Sequence, residues 1–134
     1  MAESAESDPL RQLLVDAAAI DRDAIAKVLI GKVEIDAESG RLVLSPGYGS
    51  LDAARKVLCV LLARKAALLL KLSEDEAVTN AEMMQLSGLV PGTVAPMLKR
   101  LRELRLVAQD SQKAYLVPNV QLRHALAFMS GETP

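Results

Sequence analysis

The fold is decided by residues 81–118, which read AEMMQLSGLVPGTVAPMLKRLRELRLVAQDSQKAYLVP. Thr79, two residues before this stretch, and Glu82 within it have the spacing of a capping box, in which two side chains accept backbone hydrogen bonds at a helix N-terminus. Gly88 matches the glycine that commonly ends a helix. These three residues predict a short helix between Thr79 and Gly88.

A second helix is predicted directly after the first. Thr93 is a suitable N-cap, and apolar residues then recur at helical spacing from Val94 to about Leu104. Pro96 is expected in the first turn, where its missing N–H does no harm. Because the link between the helices is short, the pattern predicts a helix–turn–helix pair. The residues expected to face the core are Val94, Met97 or Leu98, Leu101 and Leu104.

Two short β-prone runs follow the helix pair. Residues 106–108 and 114–117 are apolar, and the polar residues 109–113 between them predict a hairpin that ends at Pro118. A last amphipathic helix is expected over about 120–129.

This arrangement resembles the helix-turn-helix and wing of winged-helix transcriptional regulators. The resemblance covers about residues 55–118, and it rests on the capped first helix, the turn glycine, the Gly-Thr-Val start of the second helix, the Leu-x-x-Leu spacing and the hairpin. It implies that residues 93–104 form the recognition helix in a major groove, with the hairpin tip, residues 109–113, near the minor groove or the phosphates. No particular family is indicated for residues 1–50.

The resemblance places a basic surface on the recognition helix and the wing. Residues 97–113 carry five basic and two acidic side chains, a balance that suits contacts to phosphates. The sequence departs from the family pattern in two ways. The helix starts with apolar residues 94–97, and Arg105 stands where a glycine usually ends the helix, so that either the wing angle changes or the cap is simply not glycine. The candidate DNA-binding residues are Thr93, Lys99, Arg100, Arg102, Arg105, Gln112 and Lys113.

The N-terminal residues 9–49 predict a helical arm and a β-hairpin. Asp8 followed by proline favours one helix start, and a second capped start is expected at Asp21 or Asp23. Further along, runs 32–36 and 41–44 flank a turn that ends in glycine, which is typical of a hairpin. The loop 45–50 is the expected boundary with the following domain.

A long helix is expected over 51–72, capped by Ser50. It is apolar nearly all round, so it must be covered on several sides. The arm and the hairpin could supply that cover, but the excess apolar girth favours a subunit interface. The residues expected in a dimer or partner interface are Leu51, Leu58, Leu61, Leu62 and Leu69.

Composition excludes several classes of function. A net charge of −1 excludes a generally basic nucleic-acid coat, although residues 1–50 carry −4 and residues 51–134 carry +3. Three aromatic residues are too few for a platform that stacks single-stranded bases. The single Cys59 is expected in the core, with a redox role as the lesser alternative, and the single His124 is expected at a core boundary. Metal sites, cofactors and enzymatic activity are therefore not expected.

Together these observations predict a mainly helical α+β protein. We expect a disordered tail over 1–8, an arm with a hairpin over 9–49, and a winged-helix domain with a C-terminal helix over 50–130. The expected function is a dimeric, double-stranded-DNA-binding transcriptional regulator. The alternative is a winged-helix module for protein–protein assembly in a larger complex. Since the N-terminus resembles no signal peptide and no apolar run is long enough to cross a membrane, we expect a cytoplasmic protein, at the nucleoid if it binds DNA.

Overall fold

The computed structural model describes residues 8–13 and 21–131. Residues 1–7 of the predicted tail and residues 14–20 of the predicted arm lie outside this part of the chain. Pro9–Leu13 is a 3₁₀ helix, and the Asp8 carboxylate accepts a hydrogen bond from the Leu10 N–H at 2.9 Å. The predicted start is therefore helical, although Leu10 and Leu13 are exposed.

The second predicted helix start is confirmed. Helix α1 comprises Arg22–Leu29. Its N-cap is Asp21, whose carboxylate accepts a hydrogen bond from the Ala24 N–H at 3.0 Å. The predicted hairpin follows as strands β1, Val33–Ile35, and β2, Leu42–Leu44. The strands are antiparallel, with Glu34 opposite Val43.

Helix α2, Ala53–Leu69, is shorter than predicted at both ends. Its N-cap is Asp52 instead of Ser50, because the Asp52 carboxylate accepts a hydrogen bond from the Arg55 N–H at 2.8 Å. The Ser50 hydroxyl instead donates to the Gly47 carbonyl within the 3₁₀ helix Pro46–Ser50.

The core of the protein is built around α2, which contacts α1, β1 and the elements that follow it. Leu58, Leu61 and Leu62 are completely buried in this core. Their prediction as interface residues is therefore wrong, because the chain itself supplies the cover that a second subunit was expected to provide. Of the five predicted interface residues, only Leu51 and Leu69 keep some exposed surface.

One charged side chain is buried among these apolar residues. Lys65 on α2 is 2% exposed, and its ammonium group lies 2.8 Å from the Glu76 carboxylate. The same group donates a hydrogen bond to the Asn119 side-chain oxygen at 2.8 Å. The positive charge on the apolar stripe is thus neutralised by Glu76, and the Asn119 amide supplies a further hydrogen-bond acceptor.

The predicted helix pair is present as helix α3, Asn80–Ser87, and helix α4, Pro91–Glu103. The hairpin after it consists of strands β3, Ala108–Gln109, and β4, Tyr115–Leu116, in antiparallel register. Val78 forms an isolated β-bridge with Tyr115, which ties the segment before α3 to this hairpin.

The capping box predicted for α3 is confirmed in both directions. The Thr79 hydroxyl accepts a hydrogen bond from the Glu82 N–H at 3.2 Å, and the Glu82 carboxylate accepts one from the Thr79 N–H at 3.1 Å. Gly88 ends the helix with a left-handed backbone at φ +73°. Such a φ favours glycine because it has no Cβ.

Helix α5, Leu122–Met129, completes a mainly helical α+β fold, as predicted for the class. Elements before and after residue 50 contribute to one cluster of buried side chains. Tyr48 joins the two sides directly, since its hydroxyl donates to the Ser87 carbonyl at 2.6 Å. The division at residues 49 and 50 stays a prediction. No described helix is long and apolar enough to cross a membrane.

Candidate nucleic-acid interface

Helix α4 begins earlier than the sequence predicted. Its first residue is Pro91 and its N-cap is Val90, which makes no side-chain capping bond. Thr93 is therefore inside the first turn, and its N–H already donates to the Val90 carbonyl at 2.9 Å. The prediction that Thr93 caps the helix is wrong, and its N–H is not free to bind a phosphate. Proline can start a helix without a side-chain cap because it has no N–H to satisfy.

The earlier start places Pro96 in the interior of α4, contrary to the expectation of a first-turn position. A proline there removes the hydrogen bond that would reach the Gly92 carbonyl four residues earlier. Gly92 and Pro96 are both exposed, so this carbonyl can be satisfied by solvent. The N-terminal half of α4 thus presents proline, glycine and alanine to the outside, with few hydrogen-bonding groups.

The C-terminal half of α4 presents basic side chains. Lys99, Arg100 and Arg102 are exposed, whereas Leu98 and Leu101 on the opposite face are completely buried. The buried stripe is the one predicted from the spacing of apolar residues, with Val94 buried and Met97 and Leu104 half-buried.

Arg105 extends this basic surface past the end of α4. It has φ +62°, which is the left-handed conformation that glycine usually adopts after a helix. Its N–H donates to the Arg102 carbonyl at 2.9 Å, and the Leu106 N–H donates to the Leu101 carbonyl at 3.0 Å. These two bonds form a Schellman motif, so the helix ends in the usual way with a residue other than glycine.

The wing turn is organised by one aspartate. The Asp110 carboxylate accepts hydrogen bonds from the N–H groups of Gln112, at 2.8 Å, and Ala114, at 2.9 Å. Lys113 takes a left-handed φ of +64° in this turn. As a result Ser111, Gln112 and Lys113 are all exposed at the tip.

A residue that sequence reasoning missed connects the wing to α4. The Gln109 side-chain oxygen accepts a hydrogen bond from Arg102 at 2.8 Å, and its amide group donates to the Lys113 carbonyl at 3.3 Å. Gln109 thereby fixes the wing tip relative to the basic helix. The available signal was its position at the end of the first wing strand, where a polar side chain can reach across the hairpin.

The start of α2 brings an acidic group toward the basic helix. Partial burial raises the pKa of Asp52, but hydrogen bonds from Arg55 and the positive charges of Arg55 and Arg100 outweigh burial and lower the pKa below its usual range. The Arg55 guanidinium lies 2.6 Å from the Asp52 carboxylate. The positive charge of Arg100 on α4 thus reaches Asp52 at the start of α2.

The structure brings together six of the seven predicted DNA-binding residues as exposed side chains on α4, its C-terminal end and the wing tip. Thr93 lies apart from them at the N-terminal end of α4 and is half-buried.

The single cysteine and the single histidine of the chain, Cys59 and His124, lie outside the basic surface. Cys59 is 1% exposed, and burial raises the pKa of its thiol to about 11, with the charge of Lys32 opposing this rise. His124 is exposed on α5 and does not lie at a core boundary as predicted. Among the described residues, no three His, Cys, Asp or Glu side chains are grouped so that they could hold a metal ion.

Comparisons with known proteins do not assign this surface. No family model matches the chain, and no match was found among curated proteins or solved structures.

Proposed function

We propose that residues 53–117 form a winged helix-turn-helix that binds double-stranded DNA and acts in transcriptional regulation. The order of elements supports this proposal, because a long helix, a helix pair and an antiparallel hairpin follow each other in the chain. In such a domain α4 enters the major groove and the wing lies beside the sugar–phosphate backbone.

The observation that carries the proposal is the exposed basic surface formed by α4 and the wing. Lys99, Arg100, Arg102 and Arg105 lie along the end of the helix, and Lys113 is held beside them through Gln109. These basic side chains are clustered, although the whole chain has a net charge of −1. Such a local excess of positive charge favours binding of a polyanion.

Phosphate contacts dominate the proposed mode of binding. The N-terminal half of α4, which normally reads bases, offers no side chain with a strong donor before Lys99. Binding is thus expected to depend strongly on salt and to have low specificity for each subunit. We propose that a dimer supplies the useful affinity, since two subunits double the number of phosphates bound.

An apolar patch at the end of α2 remains available for a dimer contact. Leu51 and Leu69 keep part of their surface exposed, and beside Leu69 the side chains of Leu70 and Ile30 are 54% and 74% exposed. Leu70→Glu is expected to leave the fold intact and to lower the association constant, as measured by sedimentation equilibrium. An unchanged association constant would remove this patch from the proposal.

Affinity for a random-sequence duplex, measured by fluorescence anisotropy over a series of salt concentrations, tests the DNA-binding proposal. We expect log Kd to rise linearly with log salt concentration. Lys99, Arg100 and Arg102 together changed to Ala should reduce the magnitude of that slope by about one for each phosphate that these side chains neutralise.

A matched control removes three positive charges elsewhere on the chain. Lys27→Ala, Lys71→Gly and Arg123→Ala change exposed residues on other elements and alter the net charge equally. This variant should keep the slope of the parent protein. Equal effects of the two triple variants, or no binding at low salt, would contradict the proposal.

The exposed N-terminal half of α4 favours a second candidate, a module for protein–protein assembly. Val90 is 64% exposed, and Pro91, Ala95 and Pro96 beside it are exposed as well. Such an apolar end of a helix suits a protein surface better than base edges. Val90→Ala removes apolar surface without adding a charge, so it should leave DNA affinity nearly unchanged under the first proposal and weaken partner binding under the second.

A further inference from the structure

A cleft lined by charged, polar and apolar residues lies between the first hairpin, α2 and helix α3. It has a volume of about 500 Å³ and is lined by residues of the β1–β2 hairpin, the end of α2 and helix α3. Its walls thus come from three segments that are far apart in sequence. The lining side chains used below are Arg41, Leu42, Arg64, Leu72, Gln85 and Leu86.

Two guanidinium groups line this cleft, and no acidic side chain is among the described residues that line it. Arg64 comes from α2, where it is half-buried, and Arg41 comes from the exposed start of β2. Asp36, whose N–H donates to the Arg41 carbonyl in the hairpin, has its carboxylate already engaged by the hydroxyl and the N–H of Ser39. These hydrogen bonds, followed by the weaker effects of Glu38 and the Arg41 charge, outweigh slight desolvation and lower the pKa of Asp36.

Arg64 has an unused donor inside the protein. Its Nε is buried and has no hydrogen-bond partner, while one terminal nitrogen donates to the Asp75 carbonyl at 3.3 Å. Buried donors without a partner are uncommon in folded proteins because burial without a hydrogen bond is costly. Within the described part of the chain, Arg64 therefore makes fewer hydrogen bonds than its five N–H donors allow.

Gly40 fixes the hairpin wall of the cleft. It has φ +74°, and a Cβ at this position would lie 2.4 Å from the Leu72 carbonyl oxygen. The hairpin turn therefore lies directly on the backbone that follows α2, a separation that only glycine allows. This contact holds the hairpin wall, which carries Arg41, at the same cleft that Arg64 of α2 lines.

We propose that this cleft binds a small organic anion, through a phosphate or carboxylate group held by Arg41 and Arg64. Guanidinium groups suit such groups because their planar donors match two oxygen atoms at once. The leucines of the lining, including Leu42, Leu72 and Leu86, would contact an apolar part of the same molecule, and the Gln85 amide adds a neutral polar group. The site lies away from α4, so this proposal does not depend on DNA binding.

Titration of the whole protein with small probes, followed by NMR of its backbone amides, tests the proposal. Phenyl phosphate and benzoate supply both an anion and an apolar ring, phenol and benzyl alcohol supply the ring alone, and inorganic phosphate supplies the anion alone. We expect shifts at the amides of Gly40, Ser73 and Gln85, with at least one aromatic anion binding more than about tenfold more tightly than its neutral analogue. The tighter of the two anions identifies the preferred acid group.

Variants then assign the binding to the two arginines. Arg41→Met should weaken binding about tenfold or more, because it removes a charged contact without touching a buried group. Arg64→Met should do the same, and Arg64→Lys should restore part of the affinity. Arg22→Met, which changes an exposed arginine beside the apolar groove between α1 and the end of α2, is the control and should bind as the parent does.

Three results would overturn the proposal. One is the absence of shifts at cleft residues with either aromatic anion at about 10 mM, well above a millimolar dissociation constant. Another is equal affinity for the anions and their neutral analogues. The third is unchanged affinity in Arg41→Met, which decides the matter even if the Arg64 variants fail to fold.

Discussion

Helices α2 and α4 are both rich in apolar residues, but they have opposite relationships to solvent. Helix α2 is covered by the chain's own elements, and even its Lys65 is buried in an ion pair. Helix α4 buries one stripe and exposes the remainder, which is apolar at its start and basic at its end. A binding surface is therefore available on α4 and not on α2, although the sequence of α2 looked more in need of a partner.

The largest expected effect tests the burial of α2. Leu61→Ala removes a completely buried side chain and is expected to lower the free energy of unfolding by about 3–5 kcal/mol. Lys99→Ala on the exposed face of α4 should change it by less than about 0.5 kcal/mol. Urea denaturation monitored by circular dichroism measures both. Similar losses for the two variants would mean that the two helices are not packed as described.

A somewhat smaller effect is expected from the buried charge of α2. Lys65→Met leaves Glu76 without its partner, and breaking a buried ion pair costs about 3 kcal/mol at the lower end of the usual range. The double variant Lys65→Met with Glu76→Gln should recover part of this loss, because no unpaired charge remains. If the double variant is less stable than the single one, the ion pair is not the reason for the loss.

Alkaline pH should weaken the core around α2. Burial raises the pKa of Cys59 from 9.0 to about 11, so the folded state favours the neutral thiol. The resulting stability is complete below pH 9 and is lost as the pH rises toward about 11. Urea unfolding at several pH values should show this loss, and Cys59→Ala should reduce it. Tyr48, whose pKa burial raises to about 12, makes a similar contribution that begins at a higher pH.

The smallest expected change in the free energy of unfolding concerns the residues that follow the two helices. Lys71 after α2 and Arg105 after α4 have φ values of +63° and +62°, and both are exposed. Replacing either with glycine should raise the free energy of unfolding by up to about 1 kcal/mol, because the left-handed conformation costs other residues more. Only Arg105→Gly should also weaken DNA binding. A loss of DNA affinity in Lys71→Gly would place the interface elsewhere.

The features that the sequence predicted well depend on local interactions. The capping box of α3 needs only Thr79 and Glu82, and the buried stripe of α4 follows from helical periodicity alone. The start of α4 was mispredicted because Thr93 is a better N-cap than Val90 by type, yet Pro91 begins the helix without a capping side chain.

Features that depend on tertiary packing could not be predicted in this way. The periodicity of α2 shows that it needs cover but does not show whether the chain or a second subunit supplies it. The link from Arg102 through Gln109 to the wing joins residues whose proximity depends on how the helix ends at Arg105. The cleft with Arg41 and Arg64 likewise exists only because the hairpin turn packs against Leu72.

The most direct test of the DNA-binding surface is a map of the residues whose amide NMR signals shift when a short duplex is added at low salt. We predict the largest shifts over residues 99–105 and at 111–113 on the wing, with little change at Lys27 or along the interior of α2. Shifts that instead centre on the N-terminal hairpin or on the cleft beside Arg64, with 99–105 unaffected, would contradict the proposed DNA-binding surface.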